Sequence, residues 1–300
     1  MTRRLLRSGS IGIVALLTLV TLSACAPAAA DRPAPTTNGG LGRVVALGEE
    51  ALLADILALD VDVVASSASV DDAGFQGIDE ELVADVEVLP MIQLDLEEVI
   101  ALRPDTIITY AFWADNIGRE RLEGIARVIV VPDGLTTPER VTQLGTLLGA
   151  EDEADGLLAG LETATAAAAD AVPDDCRVSL ATIYTGPSIV AFVDGPWDIP
   201  SAILSVGCEL VPGSDLEHDQ NGRARLSLEQ LNRFQAPLMV LLQSSSAEGE
   251  DLALTQVRND PLMATLPAVR AGNVHTFDRL GYPGAEGQVR FLGEFSALFR

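Results

Sequence analysis

Histidine is scarce in this chain: only His218 and His275 occur among its 300 residues. A receptor for a bare metal ion needs three or four histidine and carboxylate ligands that converge on one point. His218 lies in a polar loop and His275 within a predicted strand, so the two do not supply such a set. We therefore predict that the protein has no metal site. Binding of a bare metal ion is retained only as an alternative function.

The short motifs that mark common enzyme classes are also missing. The sequence contains no G-x-S-x-G nucleophile elbow, no Walker A sequence and no Rossmann glycine fingerprint. Carboxylate pairs are frequent, but so acidic a chain must carry many of them on solvated faces. We therefore expect a protein that is not an enzyme and has no intrinsic cofactor.

Lysine is absent, and 19 arginines face 44 acidic residues, which gives a formal net charge of −25. Such a chain repels polyanions, because the phosphate backbone dominates nucleic-acid affinity. This charge excludes nucleic acid as a partner, as well as charge-driven attachment to an anionic membrane surface. Docking onto a basic protein partner remains compatible with it.

No apolar run is long enough to span a membrane. The longest near the start, Ile11–Val20, has ten residues where a spanning helix needs roughly 20. It follows Arg3, Arg4 and Arg7 and precedes small residues, which is the pattern of a secretory signal. We predict a signal peptide at 1–24; the paired arginines leave the general and twin-arginine export routes open.

The segment Leu22–Cys25 (LSAC) resembles the lipobox of bacterial lipoproteins, in which the cysteine is acylated and becomes the mature N-terminus. Acyl chains on Cys25 would anchor the protein, since each buried CH₂ contributes roughly 0.8 kcal/mol of membrane affinity. Residues rich in Pro, Ala, Thr and Gly follow, so 25–42 is predicted to be the lipidated cysteine and a flexible tether. The expected location is extracytoplasmic, at the cell membrane.

From residue 43 onward, short β-rich runs alternate with helical stretches, which predicts an α/β fold with mainly parallel sheets. An Ala- and Leu-rich stretch without strand character interrupts this alternation and predicts one long helix. The fold prediction is two α/β lobes joined by a single long rigid helix: first lobe 43–150, linker helix 151–172 and second lobe 173–300. The predicted strands are Arg43–Leu47, Val61–Ala65, Asp105–Tyr110, Arg127–Val131, Arg177–Ile183, Ile189–Val193, Leu238–Gln243 and Val274–Asp278. The other predicted helices are Glu50–Leu59, Asp95–Leu102, Ala114–Gly124, 136–149, Pro200–Val206, Leu228–Arg233 and Glu286–Phe299.

A short internal repeat supports two related lobes. Asp95-Leu-Glu-Glu98 opens a predicted helix in the first lobe, and Ser227-Leu-Glu-Gln230 opens one in the second. Both fit a capping box, and a proline followed by a strand comes after each. The second helical residue, Glu97 or Glu229, is not needed by the box and is free to face solvent.

Two cysteines, Cys176 and Cys208, remain in the predicted second lobe. In an oxidising compartment a disulfide between them is expected. Two buried free thiols are the alternative, because free cysteine is among the most buried residue types.

Several segments resemble the class III solute-binding proteins of ABC importers, the type for ferric siderophores, haem and cobalamin. They are RVVALGEEALLADILALDVDVV, DLEEVIALRPDTII, TTPERVTQLGTLLGAEDEADGLL, SLEQLNRFQAPLMVLL and NDPLMATLPAVRAGNVHTFD. The resemblance covers almost the whole mature chain. It implies two lobes on a rigid helical backbone with a shallow ligand cleft between them. The chain departs from the family at Ala54, with Asp55 beside it, where the family often carries another glutamate.

The resemblance also implies partners. One exposed glutamate in each lobe docks onto arginines of the permease, and these map onto Glu97 and Glu229. The expected partners are thus an ABC permease, its ATPase and a small iron chelate. The protein itself is expected to be a monomer. If the resemblance did not hold, both glutamates would only complement helix dipoles.

In open α/β sheets, ligands bind beyond the carboxyl ends of the strands. Aromatic residues are only 4% of the chain, so their grouping at predicted strand ends is informative. Aromatic faces and arginine forks suit a large, partly apolar, anionic iron chelate, so a ferric siderophore is the expected ligand. Haem bound through tyrosine, and cobalamin, remain alternatives, as does a purely structural lipoprotein. The predicted ligand residues are Glu49, Tyr110, Trp113, Tyr184, Trp197, Arg223, Arg225, Arg279 and Tyr282, with Gly48 and Phe112 beside them.

Overall fold

The computed structural model describes residues 40–300 apart from Pro187. The predicted signal peptide, Cys25 and nearly all of the tether lie outside the described residues. In the described part, no helix is both long enough and apolar enough to cross a membrane.

The first lobe is built on a five-stranded sheet in the order β3-β2-β1-β4-β5, and all its strand pairs are parallel. Parallel strands are covered on both faces, which explains the continuous burial of the VVAL run in β1. The strand β3 was not predicted from the sequence. The strands are β1 (Val44–Leu47), β2 (Val63–Ala68), β3 (Glu87–Pro90), β4 (Thr106–Tyr110) and β5 (Arg127–Val131).

Helices connect these strands in the expected alternation. The predicted helix Ala114–Gly124 is in fact two helices, because Gly118 adopts φ +101° and breaks the hydrogen-bond ladder. A capping box between Thr136 and Glu139 opens the helix before the linker, as its sequence predicts. The helices are α1 (Glu50–Ala58), α2 (Leu96–Ala101), α3 (Ala111–Ile117), α4 (Arg119–Glu123) and α5 (Thr137–Leu148), with a 3₁₀ turn at Asp71–Ala73.

The predicted linker corresponds to α6 (Glu151–Ala169), which runs from the end of the first lobe to the start of the second. At 1.5 Å per residue its 19 residues extend about 28 Å. Its alanine-rich sequence has high helix propensity, and the turn before Pro173 ends it.

The second lobe has a six-stranded sheet in the order β11-β10-β6-β7-β9, with β8 beside the start of β6. It is less parallel than predicted, because β7 runs antiparallel to both β6 and β9. Neither β8 nor β9 was predicted from the sequence. The strands are β6 (Arg177–Tyr184), β7 (Ser188–Phe192), β8 (Glu209–Leu210), β9 (Arg223–Leu226), β10 (Leu238–Gln243) and β11 (Val274–Asp278).

Two helices of the second lobe, α8 and α9, were not predicted from the sequence. The segment after Ser227 is a 3₁₀ helix, opened by the predicted capping box between Ser227 and Gln230. The helices are α7 (Asp198–Ser205), α8 (Glu250–Arg258), α9 (Pro267–Ala271) and α10 (Gly284–Ser296), with 3₁₀ turns at Leu228–Arg233, Met263–Thr265 and Ala297–Phe299.

One hydrophobic core spans both lobes, and each lobe has a further core of its own. The last helix, α10, packs against α6, against α7 and against α1 of the first lobe. Phe291 and Phe295 on α10 are fully buried, and their rings stack at 5.6 Å. The chain therefore passes between the lobes through α6, while α10 packs against helices of both lobes.

Cys176 and Cys208 are joined by a disulfide in the second lobe. Both are buried, and they precede the paired residues Arg177 of β6 and Glu209 of β8. The cross-link therefore holds the short β8 against the start of β6.

Candidate functional site

A cavity of about 270 Å³ lies between the two lobes. The first lobe contributes residues that follow β1, β2 and β3, namely Glu49, Glu50, Ser69 and Met91. These positions lie at the carboxyl edge of a parallel sheet, where ligands bind in folds of this kind. The second lobe supplies most of the aromatic and basic lining.

Most of the predicted ligand residues meet in this cavity. A second cavity of about 360 Å³ adjoins it, shares Tyr184 and Arg223 with it, and brings in Arg225. The predicted residues that line the first cavity are Glu49, Tyr184, Trp197, Arg223, Arg279 and Tyr282.

Tyr110 and Trp113, which were predicted to contact the ligand, do not line either cavity. Tyr110 packs behind Gly48, and its burial raises the pKa of its hydroxyl far above the usual value. Trp113 packs edge to face on Phe112 at a ring distance of 5.3 Å, and Phe112 is 56% exposed. The strand-end rule located the correct sheet edge here but not the direction of these side chains.

Arginines and aromatic rings are paired within the cavity. The Arg279 guanidinium lies 5.3 Å from the centre of the Tyr184 ring, and the Arg223 guanidinium lies 5.3 Å from that of Trp197. Such cation–π contacts hold long side chains in place and contribute about 0.5–2 kcal/mol each. Each arginine also has a carboxylate: Arg279 binds Glu250 at 2.7 Å, and Arg223 binds Asp219 at 3.0 Å.

Two hydrogen-bond donors of the cavity residues lack acceptors. The indole Nε1 of Trp197 and the Nε of Arg279 are buried without a hydrogen-bond partner among the described residues. A buried donor without a partner costs about 1–3 kcal/mol. Because both atoms are inaccessible to solvent, a ligand oxygen can reach them only if the surrounding side chains move.

Two neighbouring carboxylates at the start of α1, those of Glu49 and Glu50, differ in their hydrogen bonding. Glu50 is buried and accepts hydrogen bonds from the backbone N–H and the hydroxyl of Ser69, at 2.8 and 2.5 Å. Glu49 has no side-chain hydrogen bond or ion pair among the described residues. Burial, together with the negative charges of Asp198 and Glu50, raises the pKa of Glu49.

Behind the cavity lies an ionic cluster that the sequence analysis did not identify. Arg140 of α5 binds Asp55 of α1 at 2.6 Å and Asp198 of α7 at 3.1 Å. The same carboxylates accept backbone N–H groups at the start of α10: Ala285 donates to Asp55 at 2.8 Å and Gly284 to Asp198 at 3.1 Å. The cluster thus ties the first lobe to the second. The available signal was Asp55, which lies beside Ala54, the position where the chain departs from the family pattern.

Within the described segments, 40–186 and 188–300, no three His, Cys, Asp or Glu side chains gather in a way that could hold a metal ion. His218 and His275 instead interact locally, with the Leu216 carbonyl and the Asn273 side chain.

The family profile for periplasmic binding proteins matches residues 36–279. The chain belongs to this family. The match covers both lobes of this periplasmic binding protein and ends at Arg279, in the cavity wall. No curated protein matches its sequence.

Solved structures with the same fold share little sequence with this periplasmic binding protein. FeuA from Bacillus subtilis, a triscatecholate siderophore-binding protein complexed with ferri-bacillibactin, is 17% identical, with a TM-score of 0.72 and coverage of 89% of this chain and 94% of that one. FhuD2 from Staphylococcus aureus with bound ferrioxamine B is 18% identical, with a TM-score of 0.71 and coverage of 86% and 97%. SirA from Staphylococcus aureus, complexed with staphyloferrin B, is 19% identical, with a TM-score of 0.71 and coverage of 85% and 92%. These similarities establish the fold of two α/β lobes.

Proposed function

We propose that this protein is the lipid-anchored, extracytoplasmic solute-binding component of an ABC importer, and that it carries a ferric siderophore between its lobes. The observation that carries the proposal is the cavity at the carboxyl edges, with its paired aromatic and guanidinium groups. An iron chelate has apolar linkers and exposed oxygen atoms, which suit such a wall.

The size of the site supports a ligand larger than a bare ion. The first cavity is about 270 Å³ and connects through Tyr184 and Arg223 to the second of about 360 Å³. Small-molecule sites commonly measure about 300–1,000 Å³. The structural neighbours in complex with ferrioxamine B, staphyloferrin B and ferri-bacillibactin support this class of ligand.

Tryptophan fluorescence tests the ligand site, because the chain has two tryptophans, Trp113 and Trp197. We expect ferric siderophores to quench Trp197, since it lines the cavity, and to leave Trp113 largely unaffected. Titrating Trp113→Phe, which retains Trp197, should therefore give the full signal at wild-type affinity. Trp197→Phe should lose most of the quenching and bind at least about tenfold more weakly, a change of about 1.4 kcal/mol.

The titrations should use hydroxamate, catecholate and carboxylate ferric chelates in parallel with haem and cobalamin. Haem or cobalamin binding in place of every ferric chelate, seen as a shifted visible absorption spectrum, would replace the siderophore by the corresponding alternative. Failure to bind any ligand of this panel would refute the proposal and favour a structural lipoprotein.

The proposed permease contacts are Glu97 and Glu229, both of which are exposed. Glu97 lies in α2, which begins a short loop after the carboxyl end of β3. Glu229 follows β9, which runs in the same direction as β6 because both are antiparallel to β7. Each glutamate thus lies beyond the carboxyl end of a strand, at the carboxyl edge of its sheet, where the cavity also lies. This placement suits a partner that contacts both lobes.

The lipid anchor is tested on the intact exported protein. Mass spectrometry should find an acylated Cys25 at the mature N-terminus, and Cys25→Ala should leave the membrane fraction because no acyl chain remains. Ser23→Ala keeps a small residue in the lipobox and is the matched control that should stay anchored. A Cys25→Ala protein that remains in the membrane would contradict this assignment.

A further inference from the structure

The arginines of the cavity are already neutralised by the protein. Arg279 is bound to Glu250, whose other oxygen accepts the backbone N–H of Ser244 at 2.9 Å. Arg223 is bound to Asp219, which also accepts the Arg223 backbone N–H at 3.0 Å. These guanidiniums therefore offer a ligand their remaining donors more than an uncompensated positive charge.

The carboxylates outnumber the cations around the same cavity. Glu49, Glu50 and Asp198 line it, and Arg140, the cation nearest to Asp198, is shared with the buried Asp55. Arg225 lies in the adjoining cavity, where it is exposed. The formal charge of −25 on the whole chain adds to the negative potential that an incoming anion meets.

Glu49 is the carboxylate left for a ligand. It lines the cavity, is half-buried, and has no hydrogen-bond or ion-pair partner among the described residues. Its surroundings are Asp198, Glu50, Arg140 and Arg223, of which both arginines are engaged by other carboxylates. A positively charged or hydrogen-bond-donating group would complete this position, and an anion would be repelled.

Resting on the proposed siderophore function, we infer that the cargo is a ferric tris-hydroxamate that carries an amino group, with the resulting ammonium placed against Glu49. Three hydroxamate monoanions neutralise Fe³⁺, whereas three catecholate dianions leave a trianion that this cavity does not compensate. The anionic chelate expected from the sequence is thereby replaced by an uncharged core with a cationic arm.

The test compares probes that differ in charge on the full-length protein. Ferrioxamine B, a tris-hydroxamate with a free terminal ammonium, should bind about tenfold tighter than its N-acetylated, uncharged derivative, as close charge pairs at interfaces contribute on this scale. Ferri-bacillibactin, a tris-catecholate, should bind at least about 100-fold more weakly than ferrioxamine B, because repulsion opposes it.

The variant Glu49→Gln removes the charge and keeps the shape. It should abolish the preference for the free ammonium, so that ferrioxamine B and its acetylated form bind equally. Glu162→Gln on α6 makes the same charge change at an exposed, distant position and should retain the tenfold ratio.

Each other outcome is decisive. If ferri-bacillibactin or ferric staphyloferrin B binds tightest, the hydroxamate assignment is wrong while the siderophore function stands. A ratio unchanged in Glu49→Gln would remove Glu49 from the assignment. Failure of every ferric chelate to bind the wild type would instead refute the proposed function itself.

Discussion

Replacing Arg140 by alanine is expected to lower the free energy of unfolding by about 3–5 kcal/mol, because it leaves buried carboxylates without their cation. The Asp55 side chain is fully buried, and that of Arg140 is 7% exposed. Removing one member of such a cluster leaves an uncompensated charge in a region of low dielectric constant. The loss would be a large share of the 5–15 kcal/mol that typically stabilises a folded domain.

Chemical denaturation followed by circular dichroism measures this loss, and the chain offers a matched control. Arg119 and Glu123 form an ion pair of similar length, 3.1 Å, but their side chains are 54% and 52% exposed. Arg119→Ala should cost no more than about 1 kcal/mol, since water solvates both groups. Equal losses in Arg140→Ala and Arg119→Ala would show that the buried cluster does not stabilise the fold.

The same substitution should loosen the contact between the lobes before the whole protein unfolds. The backbone N–H of Ala285 in α10 donates to Asp55 of the first lobe, so its hydrogen exchange reports on this contact. We expect faster exchange at Ala285 in Arg140→Ala, with little change at Leu241 in β10, which pairs with a strand on each side. Equal acceleration at both positions would indicate global unfolding alone.

The alternation of strands and helices was predictable because it rests on local patterns. The VVAL run of β1 is a fully buried strand, and the RVIVV run of β5 is buried at Ile129 and Val131. The Thr136–Glu139 capping box marks a helix start within four residues. Three strands were not predicted: β3 and β9, each of which ends its sheet order, and the two-residue β8. Edge strands need no continuous apolar run, and β9 reads RARL, with Arg225 exposed.

The cavity was predictable in outline, since the strand-end rule selected Glu49, Tyr184 and Arg279 without any coordinates. What it could not supply was the direction of side chains on loops, and so it also selected Trp113. The ionic cluster could not be predicted from the sequence for another reason. Arg140 is 85 residues from Asp55 and 58 from Asp198, and no local pattern links residues so distant in sequence.

Removing the carboxylates of both Glu97 and Glu229 is expected to abolish most iron-chelate uptake while leaving chelate binding intact. The folded structure does not depend on these side chains. The Asp95 cap on α2 accepts the backbone N–H of Glu97 at 2.8 Å, which an alanine retains, so the capping box predicted there is replaced by this simpler cap. The box at Ser227 uses Gln230, and Glu229 takes no part in it.

A carboxylate that docks on a permease arginine pairs with it bidentately, and losing one partner of a buried interface pair costs about 2–5 kcal/mol. Two such losses should suppress both uptake and stimulation of the transporter's ATPase in reconstituted vesicles. Glu162→Ala with Glu209→Ala, which removes two exposed carboxylates elsewhere, should transport like the wild type. Normal transport by Glu97→Ala with Glu229→Ala would mean that these residues only complement helix dipoles, and weakened chelate binding would instead assign them to the ligand site.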